Sequence, residues 1–235
     1  MALISNAEGR KDGGYTRLFG NDELGLLISR VQAAIITAGT ELEKIIIEAC
    51  DRKGMLISNL DAFLDTPHPE GVWVAPKKAV KKSRYSYHIE PDYLIFIHGP
   101  REIRACFIVE LKDGDNFDTK KSAGEVANLK EFQNHIAAQI QYRTQIYICC
   151  FNAPNRAKVV EAFKHTITEQ MALTGEEFCD RLGIDYEAIL EKRSSDQAAN
   201  MDYFARSLSR IPELTDRLKL MLLAQQDRDH RRPSR

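Results

Sequence analysis

The chain has 235 residues, 43% of them hydrophobic, which is enough to fill the core of one ordinary domain. Its 33 lysines and arginines stand against 34 aspartates and glutamates, which excludes a uniformly basic coat for nucleic acid; any such surface has to be local. No apolar run reaches the roughly 18 residues of a membrane span, and residues 1–14 turn polar too soon for a secretory leader. The five cysteines (Cys50, Cys106, Cys149, Cys150, Cys179) form no Cys-x-x-Cys pair and sit mostly in apolar segments, as reduced core thiols of a cytoplasmic protein do.

Residues 1–21 are polar and glycine-rich and read as an arm. Leu24, Leu27, Ile28, Val31 and Ile35 then recur at helical spacing. Gly39 interrupts, and Thr40 with Glu43 makes a capping-box pattern that starts a second helix, carrying Leu42, Ile45, Ile46 and Ala49 inward. Gly54 ends it. Residues 67–84 hold three prolines, the single tryptophan Trp73 and five basic residues (Lys77, Lys78, Lys81, Lys82, Arg84), and read as an exposed irregular segment. Tyr85–Glu90 alternates weakly, as a strand would. Tyr93–Ile97 is a short apolar strand, His98–Arg101 a turn, and Ile103–Leu111 a longer strand, together an antiparallel hairpin. After the loop at 113–121, Ser122 and Glu125 form a second capping-box pattern, opening a helix to about Gln141 with Val126, Leu129, Phe132, Ile136 and Ile140 as its stripe. Thr144–Phe151 is an apolar strand suited to a sheet interior. From 155 onward the pattern is helical: 155–167, 175–182, 186–193 and 197–226, with a third capping box at Thr174 and Glu177. Residues 227–235 are a charged tail expected to be disordered.

Strand alternation puts Glu110 and Lys112 on one face while Leu111 points into the core. A hairpin turning near 98–102 brings Asp92 opposite residues 108–110. Two carboxylates and a lysine therefore converge at one end of the sheet. Phosphodiester hydrolysis needs an activated water, stabilisation of the charge on phosphorus and accommodation of the leaving oxygen. One or two divalent ions serve all three. Hard ions such as Mg²⁺ take carboxylate and carbonyl oxygens, and the Leu111 carbonyl is free to be a further ligand. A lysine orients the water or neutralises charge. The bland alternative makes Asp92 a turn residue and Glu110–Lys112 an exposed ion pair, which would contribute little stability. It explains less well why a charged pair closes so apolar a strand.

Pro91-Asp92 followed by Glu110-Leu111-Lys112 resembles the signature of the PD-(D/E)XK nuclease superfamily, and the element order over residues 22–151 is similar to its αβββαβ core. The loop and helix after Lys112, with Lys120 and Lys121, look like those of type II restriction endonucleases. The resemblance implies an α/β fold: a restriction-endonuclease-like mixed β-sheet flanked by helices, with a helical C-terminal portion. It implies a nuclease core at 22–167, a helical portion at 168–226 for packing or dimerisation, and Mg²⁺-dependent, sequence-specific cleavage of double-stranded DNA. Asp92 and Glu110 would bind one or two Mg²⁺ per subunit with the Leu111 carbonyl, and Lys112 would orient the water. Such enzymes often add a helix carboxylate. Glu41, Glu43 and Glu48 are candidates; with Glu43 occupied as a cap, Glu48 remains, weighed against a merely solvated glutamate. Cutting both strands of a palindrome suggests a C2 homodimer, with Leu208, Ile211, Leu214, Leu218 and Leu222 as its surface or as plain core. A repair or junction-resolving nuclease of the same superfamily and a non-catalytic DNA-binding domain are the rival readings.

The basic segment Lys77–Arg84, with Trp73 and Tyr85, is a candidate DNA contact. Lys120 and Lys121 lie just before a helix N-terminus, where phosphate is favoured. Asp113, Asp115 and Asp118 fail the EF-hand pattern and read as turn and cap residues. Residues 174–193 can be read as a helix-turn-helix, though amphipathic helix pairs are common. The six histidines are scattered, which disfavours histidine-based nuclease chemistry, and no phosphate-binding glycine motif points to a nucleotide cofactor.

Overall fold

A computed structural model describes residues 2–11, 13–100, 103–114 and 117–230, with side chains as far as 225. Its strands are β1 (Gly71–Pro76), β2 (Tyr93–His98), β3 (Arg104–Lys112), β4 (Arg143–Cys150) and β5 (Ala172–Thr174). Its helices are α1 (Gly14–Phe19), α2 (Asp22–Arg52), α3 (Leu60–Leu64), α4 (Lys77–Lys81), α5 (Thr119–Ala137), α6 (Arg156–Ala162), α7 (Gly175–Leu182), α8 (Tyr186–Ser209) and α9 (Pro212–His230).

The strands lie side by side in chain order. β1, β2 and β3 form an antiparallel meander, whereas β4 and β5 join in parallel. A parallel neighbour needs a crossover, and α5 supplies it between β3 and β4. With α2 before the sheet, the order is the expected αβββαβ in a mixed sheet. One face carries Ala75, Leu94, Phe96, Ile108 and Ile148, and it buries Val126, Leu129, Phe132 and Ile136, the stripe of α5, in the same core.

Two compact units divide the chain: Leu42–Ile189, which holds the sheet, and Met1–Glu41 with Leu190–Arg235. The sheet unit therefore differs from the expected core at 22–167. In the helical unit, Ile4, Leu27 and Ala34 form a small core with Val31, Tyr203, Phe204 and Leu208. The expected N-terminal arm is thus tied down. Ile4 is buried, and the Ala2 and Ile4 N–H groups donate to Asp196 Oδ2 and Asn200 Oδ1 at 2.9 and 2.8 Å.

Local details depart from the sequence reading in instructive ways. Gly39 and Thr40 do not interrupt α2, which runs unbroken to Arg52. A glycine in a helix costs only about 1 kcal/mol, less than the flanking apolar stripe supplies. Gly54 follows with φ +68°, the left-handed conformation expected after a helix end. The proline-rich stretch contains β1: Pro76 closes an edge strand, where its missing N–H costs least. Tyr85–Glu90 is not a strand. α5 starts earlier than expected, capped by Asp118, which accepts from the Lys120 and Lys121 N–H groups at 2.8 and 3.1 Å. The third capping box, at Thr174 and Glu177, is present with both of its hydrogen bonds. β5 precedes it unforeseen, and α8 passes through 194–196 without a break. Asp115, Arg101 and the last five residues of the expected tail lie outside the described residues. All five cysteines are buried, and no disulfide joins any of them.

Candidate active site

The sheet register assembles one row of charges. Pro76 pairs with Tyr93, and on the next rung the Lys77 N–H donates to the Asp92 carbonyl at 2.8 Å, so Lys77 stands across from Asp92. Tyr93 pairs with Val109, which sets Asp92 across from Glu110. Directly opposed residues share a face, and so do residues two apart along a strand. Lys77, Asp92, Glu110 and Lys112 therefore continue the face carrying Ala75, Leu94 and Ile108, at the end where the apolar core stops.

Asp92 is buried, at 8% exposure. Its Oδ2 accepts the Leu111 N–H at 2.9 Å, and its Oδ1 lies 3.5 Å from Lys77 Nζ. Lys112 Nζ donates to Glu110 Oε1 at 2.7 Å and to Glu125 Oε1, on α5, at 3.0 Å. α2 brings Glu43 to the same place: the Tyr93 hydroxyl donates to the Glu43 carbonyl at 3.3 Å, and the Glu43 side chain lines a groove with Asp92 and Lys77. Burial raises the Glu110 carboxyl above its ordinary pKa, and the Asp92 charge adds to this while Lys112 opposes it. Burial and then Asp92 raise Glu43 as well. Burial alone would lower Lys112, but Glu110 and Glu125 outweigh it, so the ammonium is held above its ordinary value and is charged at neutral pH.

Partly buried carboxylates whose ionisation is opposed by burial and by the Asp92 charge gain from added positive charge, and their oxygens suit a hard divalent cation. A further oxygen is close. The Lys112 carbonyl accepts from the Phe151 N–H on the β4 side at 2.8 Å. Alternation turns the Leu111 N–H and carbonyl the other way, toward Asp92, beyond the point where β2 begins. Among the described residues no three acidic, histidine or cysteine side chains stand in ready-made coordinating geometry. The carboxylates are held by lysines instead, Asp92 by Lys77 and Glu110 by Lys112.

No family model and no solved structure matches the chain. The type II restriction enzyme HhaII of Haemophilus parahaemolyticus is 44% identical to it over 230 residues, covering 93% of this chain and 99% of that protein. The chain belongs to the type II restriction enzymes. It is accordingly a restriction endonuclease, a hydrolase that cuts DNA.

Several positions expected to serve this restriction enzyme are placed differently from the sequence reading. Glu48 is exposed, its carboxylate 3.9 Å from Lys44, and it is Glu43 that faces Asp92. Glu41 belongs to the helical unit. Lys77, Lys78, Lys81 and Lys82 line a groove of 760 Å³ with Glu43, Asp92 and Tyr93. Arg84 is not part of it. Its guanidinium grips Asp65 in a fork at 3.0 and 2.5 Å, and also donates to the Tyr85 hydroxyl. Trp73 packs beside Phe63, His68 and His98, and Tyr85 is buried, so neither offers an open ring face at the groove. Lys120 and Lys121 are exposed, but the Asp118 carboxylate already fills the helix end expected to take phosphate. Glu43 is among the helix carboxylates the sequence offers but its capping-box pattern sets it aside, and the same pattern hides Glu125. Each lies on its helix's inward stripe, Glu43 three residues before Ile46 and Glu125 four before Leu129, and an acid in that position was the available signal.

Proposed function

We propose that this restriction enzyme cuts double-stranded DNA at a specific sequence with Mg²⁺, through a PD-(D/E)XK site formed by Asp92, Glu110 and Lys112. The supporting observation is the register row: Asp92 across from Glu110, Lys112 two residues on, and Glu43 beside them. Asp92, Glu110, Glu43 and the Leu111 carbonyl would hold one or two ions. When bound, Mg²⁺ supplies Lewis-acid stabilisation of charge and acidifies a water.

The chain's own groups do the rest. Lys112, clamped between Glu110 and Glu125, has its ammonium fixed to within hydrogen-bond distance of two oxygens. It can hold the attacking water and neutralise charge on the phosphate as the water oxygen bonds to phosphorus and the ester P–O bond breaks. Lys78, Lys81 and Lys82 would hold the strand by its phosphates, which position the duplex without reading it. Symmetric double-strand cleavage suits a C2 homodimer, for which the exposed Leu218 and Leu222 on α9 are candidate contacts.

The test is digestion of genomic DNA with Mg²⁺ or EDTA, beside an Asp92→Ala variant. Discrete fragments that need both the ion and Asp92 are expected. Cleavage confined to branched or damaged DNA would favour a repair nuclease, and cleavage that survives Asp92→Ala would refute the site.

A further inference from the structure

The two lysines at the site are held very differently. Lys112 has 18% of its side chain exposed and two carboxylate partners, at 2.7 and 3.0 Å. Lys77 is half exposed and has one, at 3.5 Å, longer than the roughly 2.8 Å of a strong charge-assisted bond. Its backbone is fixed by the ladder bond to the Asp92 carbonyl, so only its flexible stem is free to move. The oxygen it neighbours is also particular. Asp92 Oδ2 already accepts the buried Leu111 N–H, so Oδ1 is the oxygen turned to the groove side for a cation, and Lys77 stands at Oδ1. On its other side Lys77 opens onto the groove lined by Lys78, Lys81 and Lys82.

We propose that Lys77 is an exchangeable counter-cation of Asp92: a divalent ion displaces it from Oδ1, and the released ammonium turns to a DNA phosphate in the groove. The inference rests on the reading of Asp92 as a metal ligand. The same lysine then lowers affinity for the ion in the free protein and raises affinity for DNA. Ion binding and DNA binding become mutually supportive, because each occupies a partner that the other must vacate. A lysine clamped like Lys112 cannot do this.

The experiment measures Mn²⁺ binding by calorimetry without DNA, and the salt dependence of duplex binding in EDTA, for the wild type, Lys77→Met, Lys77→Arg, Lys81→Met and Asp92→Asn. Lys77→Met is expected to tighten Mn²⁺ binding about fivefold, the upper end for a partly exposed ion pair. Lys81→Met leaves it unchanged, and Lys77→Arg stays near wild type. In EDTA, where Asp92 still holds Lys77, Lys81→Met lowers the slope of log K against log salt by about 0.9, one phosphate contact, Lys77→Met leaves it unchanged, and Asp92→Asn, which releases Lys77, raises it by about the same amount. Asp92→Asn abolishes Mn²⁺ binding. If Asp92→Asn does so but Lys77→Met leaves Mn²⁺ affinity unchanged or weaker, the exchange is overturned while the metal site stands. If Mn²⁺ still binds to Asp92→Asn, the metal site itself is overturned.

Discussion

Glu43→Gln should separate function from stability in opposite directions. The change keeps the shape of the side chain and removes its charge. A unit charge acting on another about 6 Å away, at an effective dielectric of about 20, is worth about 3 kcal/mol, so cleavage under saturating Mg²⁺ should fall about 10²-fold. Stability should not fall with it. Burial and the Asp92 charge hold the Glu43 carboxyl above its ordinary value of 4.5, so ionising it opposes folding. That cost is absent below pH 4.5, where the group is protonated folded or unfolded, and grows as pH rises to the folded-state value. In EDTA at neutral pH the glutamine variant should therefore melt at or above the wild-type temperature, and the two should coincide in acid. Glu48→Gln is the comparison. It breaks an exposed i,i+4 pair worth at most about 0.5 kcal/mol and should cleave like wild type. Rates come from single-turnover cleavage of a labelled duplex, and stability from thermal melts. Normal cleavage by Glu43→Gln with loss in Glu48→Gln would refute the assignment of the helix carboxylate.

Three further outcomes are expected. Asp92→Asn should lower cleavage at least about 10³-fold while still binding its DNA, as filter binding beside single-turnover kinetics would show. Arg84→Ala should leave the salt slope of DNA binding unchanged, whereas Lys82→Ala lowers it by about 0.9, because Arg84 is engaged with Asp65 and Lys82 faces the groove. Thr174→Ala removes one hydrogen bond of the capping box at α7 and should cost about 1 kcal/mol in urea unfolding with no change in cleavage.

The sheet was legible where the code was local. Alternation and apolar runs placed β2, β3 and β4, and the hairpin count set Asp92 opposite residues 108–110, a span the register narrows to Glu110. β1 was hidden because three prolines outweighed the short apolar run Val72–Ala75, and an edge strand tolerates what a central strand does not. The site was half legible. Asp92, Glu110 and Lys112 are two-residue and cross-strand relations within one hairpin. Glu43 and Glu125 come from helices distant in sequence, and both were absorbed by capping patterns that the actual helix starts make void. A Thr-x-x-Glu spacing is cheap to find by chance, so a capping box is informative only once the helix start is known. Lys77 was legible as a basic residue, but its place beside Asp92 depends on β1 and could not be seen without it.

The buried cysteines have a practical consequence. Burial pushes the thiols of Cys50 and Cys179 up, to about 11 and about 12, and raises those of Cys106 and Cys149 as well. Thiolate is the reactive form, so these native sulfurs are both shielded and little ionised at neutral pH. The wild-type background is therefore expected to react slowly with maleimide reagents. A single cysteine introduced at Lys81 or Ser58, on the groove wall, would carry the only exposed thiol among the described residues, and a dye there would report DNA arriving in the groove without prior removal of native cysteines.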